Sequence, residues 1–246
     1  MKLDEQLRAK VAKYLPEPTH FAHLQSIPLL FVVGISGAGK NAISTRLMDA
    51  YAGQYHRLVT HVTRAPRKNN GVMERNGIDY HFIDMATASH MLDAQSYIET
   101  NVYSGNIYGT SVAELEAAQR EHSIIIGDID VNGVANFVRL GLHALPVFVL
   151  PPSYEVWQER LLTRYPNGVI DQADWLARIK TARNEIQHAL DTNYFYFVIN
   201  DELDQAVATI NAIAHDVPTE RRPLVAITVA QSIIDAIDAN LRKFDD

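Results

Sequence analysis

Four short, nearly continuous apolar runs punctuate the chain: IPLLFVVG at 27–34, SIIIGDID at 123–130, ALPVFVLPP at 144–152 and YFYFVIND at 194–201. Runs of this length without alternation are what strands buried on both faces of a parallel sheet display. Helical periodicity fills the spaces between and after them, at 41–53, 131–141, 153–165, 172–191 and 202–216. Strands alternating with helices predict βαβ units and an α/β fold, a three-layer parallel sheet with helices on both faces. The rhythm breaks over 59–111. There LVTHVT, DYHFID and YIETNVYS alternate apolar with polar, and turn residues fall at Asn69–Gly71, Asn76–Gly77 and Ser104–Asn106. A small β-rich insertion is expected. The polar stretch RYPNGVIDQAD reads as a mobile connection between two helices, a lid over 164–176.

The two ends have patterns of their own. Leu3, Leu7, Val11 and Leu15 share one helical face before Pro16 and Pro18 stop it, which gives an N-terminal helical extension over 1–27. After PTERRP, Val229, Ile233, Ile237 and Leu241 recur every four residues. An amphipathic helix from Leu224 to Phe244 follows, packed on the core or on a second subunit. The expected organisation is therefore 1–27, a central domain over 28–217, and a linker with helix over 218–246.

Composition narrows the function classes. An apolar fraction of 47% suffices for a full core. The absence of cysteine excludes disulfides and thiolate metal sites, and it fits a reducing, cytoplasmic setting. A net charge of −7 argues against a general nucleic-acid binder, so an anionic ligand needs a local basic cluster. No apolar run approaches the roughly 20 residues of a membrane helix. The opening MKLDEQLRAK carries acids and no apolar core, unlike a secretory signal. His20 and His23 have the nearest thing to metal-ligand spacing, but a surface turn before a strand accounts for them better.

Chemistry enters at Gly34-Ile35-Ser36-Gly37-Ala38-Gly39-Lys40, which matches G-x-x-x-x-G-K between a predicted strand and a predicted helix. Glycines let backbone N–H groups turn inward around phosphate oxygens, and Lys40 supplies full charge to the β- and γ-phosphates of a nucleoside triphosphate. Asn41 stands where a magnesium-binding hydroxyl is usual, and Ala42 follows it. An amide oxygen still ligates Mg²⁺ directly or through water. Further on, Arg64 and Arg67 flank Pro66 at a spacing suited to a doubly charged phosphate.

The ordered series GISGAGK, TRAPR, NGIDYHF, YIE, GNIYGTS, DIDVNG, LPPSYEVWQERLLTR and VINDELD resembles the guanylate kinase family, over roughly 28–216. The resemblance implies ATP and GMP as substrates, Mg²⁺ as cofactor and purine nucleotide metabolism as setting. It implies that Arg64, Arg67, Tyr80 and Tyr108 hold the GMP phosphate, and that Thr60, Glu99, Thr110 and Asp130 read the guanine. The chemistry agrees. A carboxylate such as Glu99 accepts the adjacent N1–H and N2–H donors of guanine, whereas adenine would turn a lone pair toward it. Asp128, at the end of an apolar strand, is a candidate to orient Mg²⁺ through water.

Arg160 and Arg164 lie four apart on one helical face, and Arg178 follows the polar connection. The resemblance makes all three lid arginines that neutralise the transferring phosphoryl group. It assigns Asn200 and Asp201 to the adenine of ATP, although Asn-Asp after a strand is also a helix cap. Two departures stand out. Four extra residues lie between Arg67 and Asn76, and the lid lacks the family's usual Arg-Gly-Thr entry. Two other readings compete: a kinase of phosphorylated sugars, and a non-catalytic module binding a phosphopeptide through Arg64, Arg67 and Tyr80. The terminal helices are also candidate homodimer contacts.

Overall fold

Apolar runs become strands where turn residues bound them and helices where caps start them. The computed structural model describes residues 3–69, 71–120, 124–163, 165 and 168–244. In chain order, the elements are α1 (Glu5–Ala12), β1 (Leu29–Val33), α2 (Lys40–Ala50), β2 (Tyr55–Arg57), β3 (His61–Val62), β4 (Lys68–Asn69), β5 (Val72–Met73) and β6 (His81–Phe82). There follow α3 (Met85–Asp93), β7 (Tyr97–Tyr103), β8 (Asn106–Ser111), α4 (Val112–Arg120), β9 (Ile124–Gly127), α5 (Val131–Arg139) and β10 (Ala144–Leu150). The last are α6 (Tyr154–Leu162), α7 (Gln172–Asp191), β11 (Tyr196–Ile199), α8 (Leu203–Ala214) and α9 (Leu224–Arg242). A five-stranded sheet runs in the order β11-β10-β1-β9-β2, and β10 pairs with β11 in parallel. β1 and β9 are buried at every residue, as their unbroken apolar runs predict.

The chain divides into two compact units. The first comprises Met1–Leu29, His56–Gly127 and Asn132–Ala144. It contains the expected β-rich insertion, a sheet in the order β6-β3-β8-β7 with β3 parallel to β6 and antiparallel to β8. β7 and β8 form its long hairpin, with a register shift between Tyr97 and Glu99. The insertion also holds α3, which its alternating pattern did not suggest. Asp84 starts that helix by accepting from the Thr87 N–H at 2.7 Å. α4 and β2 were likewise unanticipated.

The N-terminal helix is part of this unit. Leu7 and Val11 join Met85, Ala88, Leu92, Tyr97 and Ile107 in one apolar cluster. The Tyr14 hydroxyl donates to the Tyr97 carbonyl at 2.6 Å and accepts from the Tyr97 N–H at 3.1 Å. Leu15, expected on the same face, lies beyond the helix end and is 64% exposed.

The second unit comprises Leu30–Tyr55, Asp128–Val131 and Leu145–Asp246. Here α9 packs on α6, α7 and β11. Ile233 and Ile237 of the four-residue repeat are buried, and Ala226, Ala230 and Ile234 complete the covered face. Among the described residues, one helix, α9, is long and apolar enough to cross a membrane by length and composition alone. It instead has polar ties to its own unit. Arg183 grips Asp238 with two nitrogens, and Trp175 Nε1 donates to Asn240 Oδ1 at 3.2 Å.

Candidate functional site

The glycine loop has the geometry its motif requires. Gly34, Gly37 and Gly39 have φ of 139°, 97° and 97°. A Cβ on Gly34 would stand 2.4 Å from the Val149 carbonyl oxygen, so the loop leaves β1 hard against β10. Gly39 is as constrained, because a Cβ there would meet the Asn200 amide. Lys40 opens α2 and its Nζ donates back to the carbonyls of Gly34 at 2.6 Å and Ile35 at 3.4 Å. Two other loop carbonyls are tied by side chains from outside: Ser36 accepts from Trp157 Nε1 at 2.8 Å, and Ala38 accepts from Asn200 Nδ2 at 2.8 Å. Asn41 and Ala42 are exposed on the first turn of α2.

The second unit also holds Asp128, Asp130, Arg160, Arg178, Asn200 and Asp201. Asp128 and Asp130 are exposed just past the end of β9. Arg160 donates to the Asn200 carbonyl at 2.8 Å, which places it beside the strand end that holds Ala38. The Arg178 guanidinium lies 5.3 Å from the Tyr165 ring centroid. Asp201 is exposed, whereas Asn200 is buried by its bond to the loop. Arg164 lies outside the described residues. One unanticipated acid belongs here. Burial pushes the Glu185 carboxyl of α7 up to about 7, Lys40 opposes the rise and Asp130 adds to it.

In the first unit the candidate residues are interlocked. Glu99 is 7% exposed and accepts at Oε1 from both the backbone N–H and the hydroxyl of Thr110, at 3.1 and 2.9 Å. Their strands bring them opposite each other, Glu99 pairing with Thr110 across β7–β8. Thr60 is half-buried just before β3. The Arg64 guanidinium accepts no hydrogen bonds but donates several: Nε to the Tyr108 hydroxyl at 3.3 Å, and Nη1 and Nη2 to the two oxygens of Glu74 at 2.5 and 2.9 Å. It also lies 4.8 Å from the Tyr80 ring centroid. Glu74 was not foreseen. It ties both candidate arginines, because its carboxylate also accepts the Arg67 N–H at 2.8 Å. After Arg67 the chain forms the β4–β5 ribbon, and the Glu74 N–H donates to the Arg67 carbonyl at 2.9 Å. The Arg67 side chain is exposed.

On the first unit's sheet, His61 stacks on His81 at 4.7 Å, and His81 Nε2 lies 3.1 Å from Glu114. Burial, reinforced by His81, pushes the His61 imidazole down to about 4. His23 reaches Glu116 at 3.1 Å. Among the described residues no three His, Cys, Asp or Glu side chains are grouped to hold a metal.

In sequence and in fold the chain is similar to known proteins. A family model described as guanylate kinase matches residues 27–216. The guanylate kinase of Homo sapiens is 32% identical over 191 residues, covering 77% of this chain and 93% of the human one. That of Chromohalobacter salexigens is 32% identical over 210 residues, covering 82% and 93%. The crystal structure of guanylate kinase from Anaplasma phagocytophilum superposes with a TM-score of 0.57 at 20% identity, covering 87% and 95%, and shares the fold.

Proposed function

From the membership of this chain in the guanylate kinase family, we propose that it transfers the γ-phosphoryl group of ATP to GMP, giving ADP and GDP. The observation that carries the reading is the buried Glu99 carboxylate, held by Thr110 and set in the same unit as the Arg64 cluster. A buried carboxylate needs donors, and guanine presents two side by side. Thr60 of the same unit joins the base-reading set. Arg64, Arg67, Tyr80 and Tyr108 take the GMP phosphate.

ATP lies on the loop from Gly34 to Ala42, with Ser36, Gly37, Ala38 and Gly39 offering backbone amides. Lys40 exchanges its loop carbonyls for phosphate oxygens on binding. Asn200 and Asp201 serve the adenine end. Arg160, Arg164 and Arg178 neutralise the phosphoryl group in transfer, a role of positioning and charge rather than covalent chemistry. Asn41 and Asp128 are hard oxygen donors of the kind Mg²⁺ accepts. Mg²⁺, when bound, spreads the charge of the β- and γ-phosphates.

A coupled assay of ADP release with GMP, AMP and UMP as acceptors tests the reading. GMP is expected to be preferred, and Glu99→Ala to lower kcat/KM for GMP about a hundredfold or more while AMP use changes little. Equal use of GMP and AMP by the unaltered chain would overturn the assignment.

A further inference from the structure

An anion-binding loop works only if its carbonyls face away from the anion. In a trans peptide the C=O and the following N–H point in opposite directions. No described peptide bond is cis. The indole of Trp157 holds the Ser36 carbonyl at 2.8 Å and so fixes the direction of the Gly37 N–H. Asn200 does the same for the Gly39 N–H through Ala38. Trp157 is 1% exposed, and a Cβ on Gly37 would lie 3.4 Å from its ring, so the indole is the floor of the loop.

The indole is itself held from below. Trp157 stacks on Trp175 of α7 at 6.0 Å, and Trp175 donates to Asn240 of α9. The Arg183–Asp238 pair ties the same two helices a second time. α9 begins at Leu224, beyond the family match that ends at 216. Its attachment to the loop therefore comes from outside the matched region.

We propose that Trp157 is the positioning residue of the phosphate loop, and that the C-terminal helix holds it in place through Trp175 and Asn240. The proposal rests on the reading of this loop as the ATP site. It deepens that reading by making triphosphate affinity depend on a segment outside the family's extent.

The chain has two tryptophans, and both lie in this relay, so intrinsic fluorescence reports on it directly. Trp157→Phe keeps a ring on the floor and removes the N–H. It is expected to raise KM for ATP about tenfold while KM for GMP stays within about twofold. Asn240→Ala is expected to raise KM for ATP about threefold, again sparing GMP. With excitation selective for indole, ATP is expected to shift the emission of the unaltered chain and GMP is not. An unchanged KM for ATP in Trp157→Phe overturns the proposal, as does an equal rise for both substrates. If Trp157→Phe does not fold, an unchanged KM for ATP in Asn240→Ala overturns it alone. The fluorescence titration needs no turnover. A chain that makes no ADP with GMP, yet shifts its emission with ATP, would sink the kinase reading and leave the loop proposal standing.

Discussion

The first unit carries its candidate chemistry on side chains that grip one another, while the second carries it on backbone amides that distant side chains aim. In the first, Glu74 holds Arg64 and the Arg67 backbone, and Thr110 holds Glu99, so each candidate group is fixed by a polar neighbour. In the second, the amides of a glycine loop are oriented by Trp157 and Asn200, and Gly34 and Gly39 make room for the approach. The difference predicts how each fails. Removing one partner in the first leaves a buried charge behind; adding one carbon in the second pushes backbone against backbone.

The largest effect is expected at Glu74. Its pair with Arg64 leaves the two side chains only 6% and 8% exposed. Glu74→Ala should cost about 3 kcal/mol by urea unfolding, because an uncompensated guanidinium remains in a nearly dry site. Arg64→Met with Glu74→Leu should recover most of that loss. A single-variant cost below about 1 kcal/mol would mean that water reaches the pair, which would erase the contrast between units. Gly34→Ala comes next, at about 2 kcal/mol. It forces a positive φ on alanine and drives a Cβ toward the Val149 carbonyl. ATP affinity measured by fluorescence should fall with it, while GMP affinity holds.

The smallest expected effect is the most discriminating, since the two units respond to pH with opposite sign. His61, pushed down to about 4 from an ordinary 6.5, binds a proton more readily unfolded than folded. Stability is therefore lost as pH falls from 6.5 toward 4. Glu185, pushed up to about 7 from 4.5, holds its proton more tightly when folded, and stability is lost as pH rises from 4.5 toward 7. The full shifts correspond to about 3 kcal/mol each, and because both side chains are only half-buried, solvent screening reduces each slope to about 1–2 kcal/mol across its window. Thermal melts should show Glu185→Gln becoming more acid-sensitive than the parent, with His61→Phe shifted the other way. Parallel melting profiles for both variants would refute the opposed titrations.

What was legible from the sequence follows the same division. The glycine loop announced itself because φ above zero demands glycine at Gly34, Gly37 and Gly39, and the apolar strands because burial on both faces removes alternation. Glu99, Arg64 and Tyr108 were singled out by residue type in an ordered series, and the structure places Arg64 beside Tyr108. Glu74 escaped, since a glutamate in a polar ribbon looks solvated until Lys68 pairs with Met73 and returns it to Arg67. Trp157 escaped for the opposite reason: an apolar residue on a helix reads as core, and its single N–H leaves no mark on the pattern. Helix α3 was hidden in MATASHMLD, too short and too mixed to outweigh the alternating strands around it.

The bonds between Tyr14 and Tyr97 also bear on the order in which the molecule assembles. They join residues 83 positions apart, and α1 has only eight residues. A helix so short is marginal alone in water and gains its stability from the apolar face it covers. That face includes Met85, Leu92 and Ile107, none of which has been synthesised when α1 leaves the ribosome. Helix α1 is thus made before the surface it covers, and it settles only once the β7–β8 hairpin has closed beneath it.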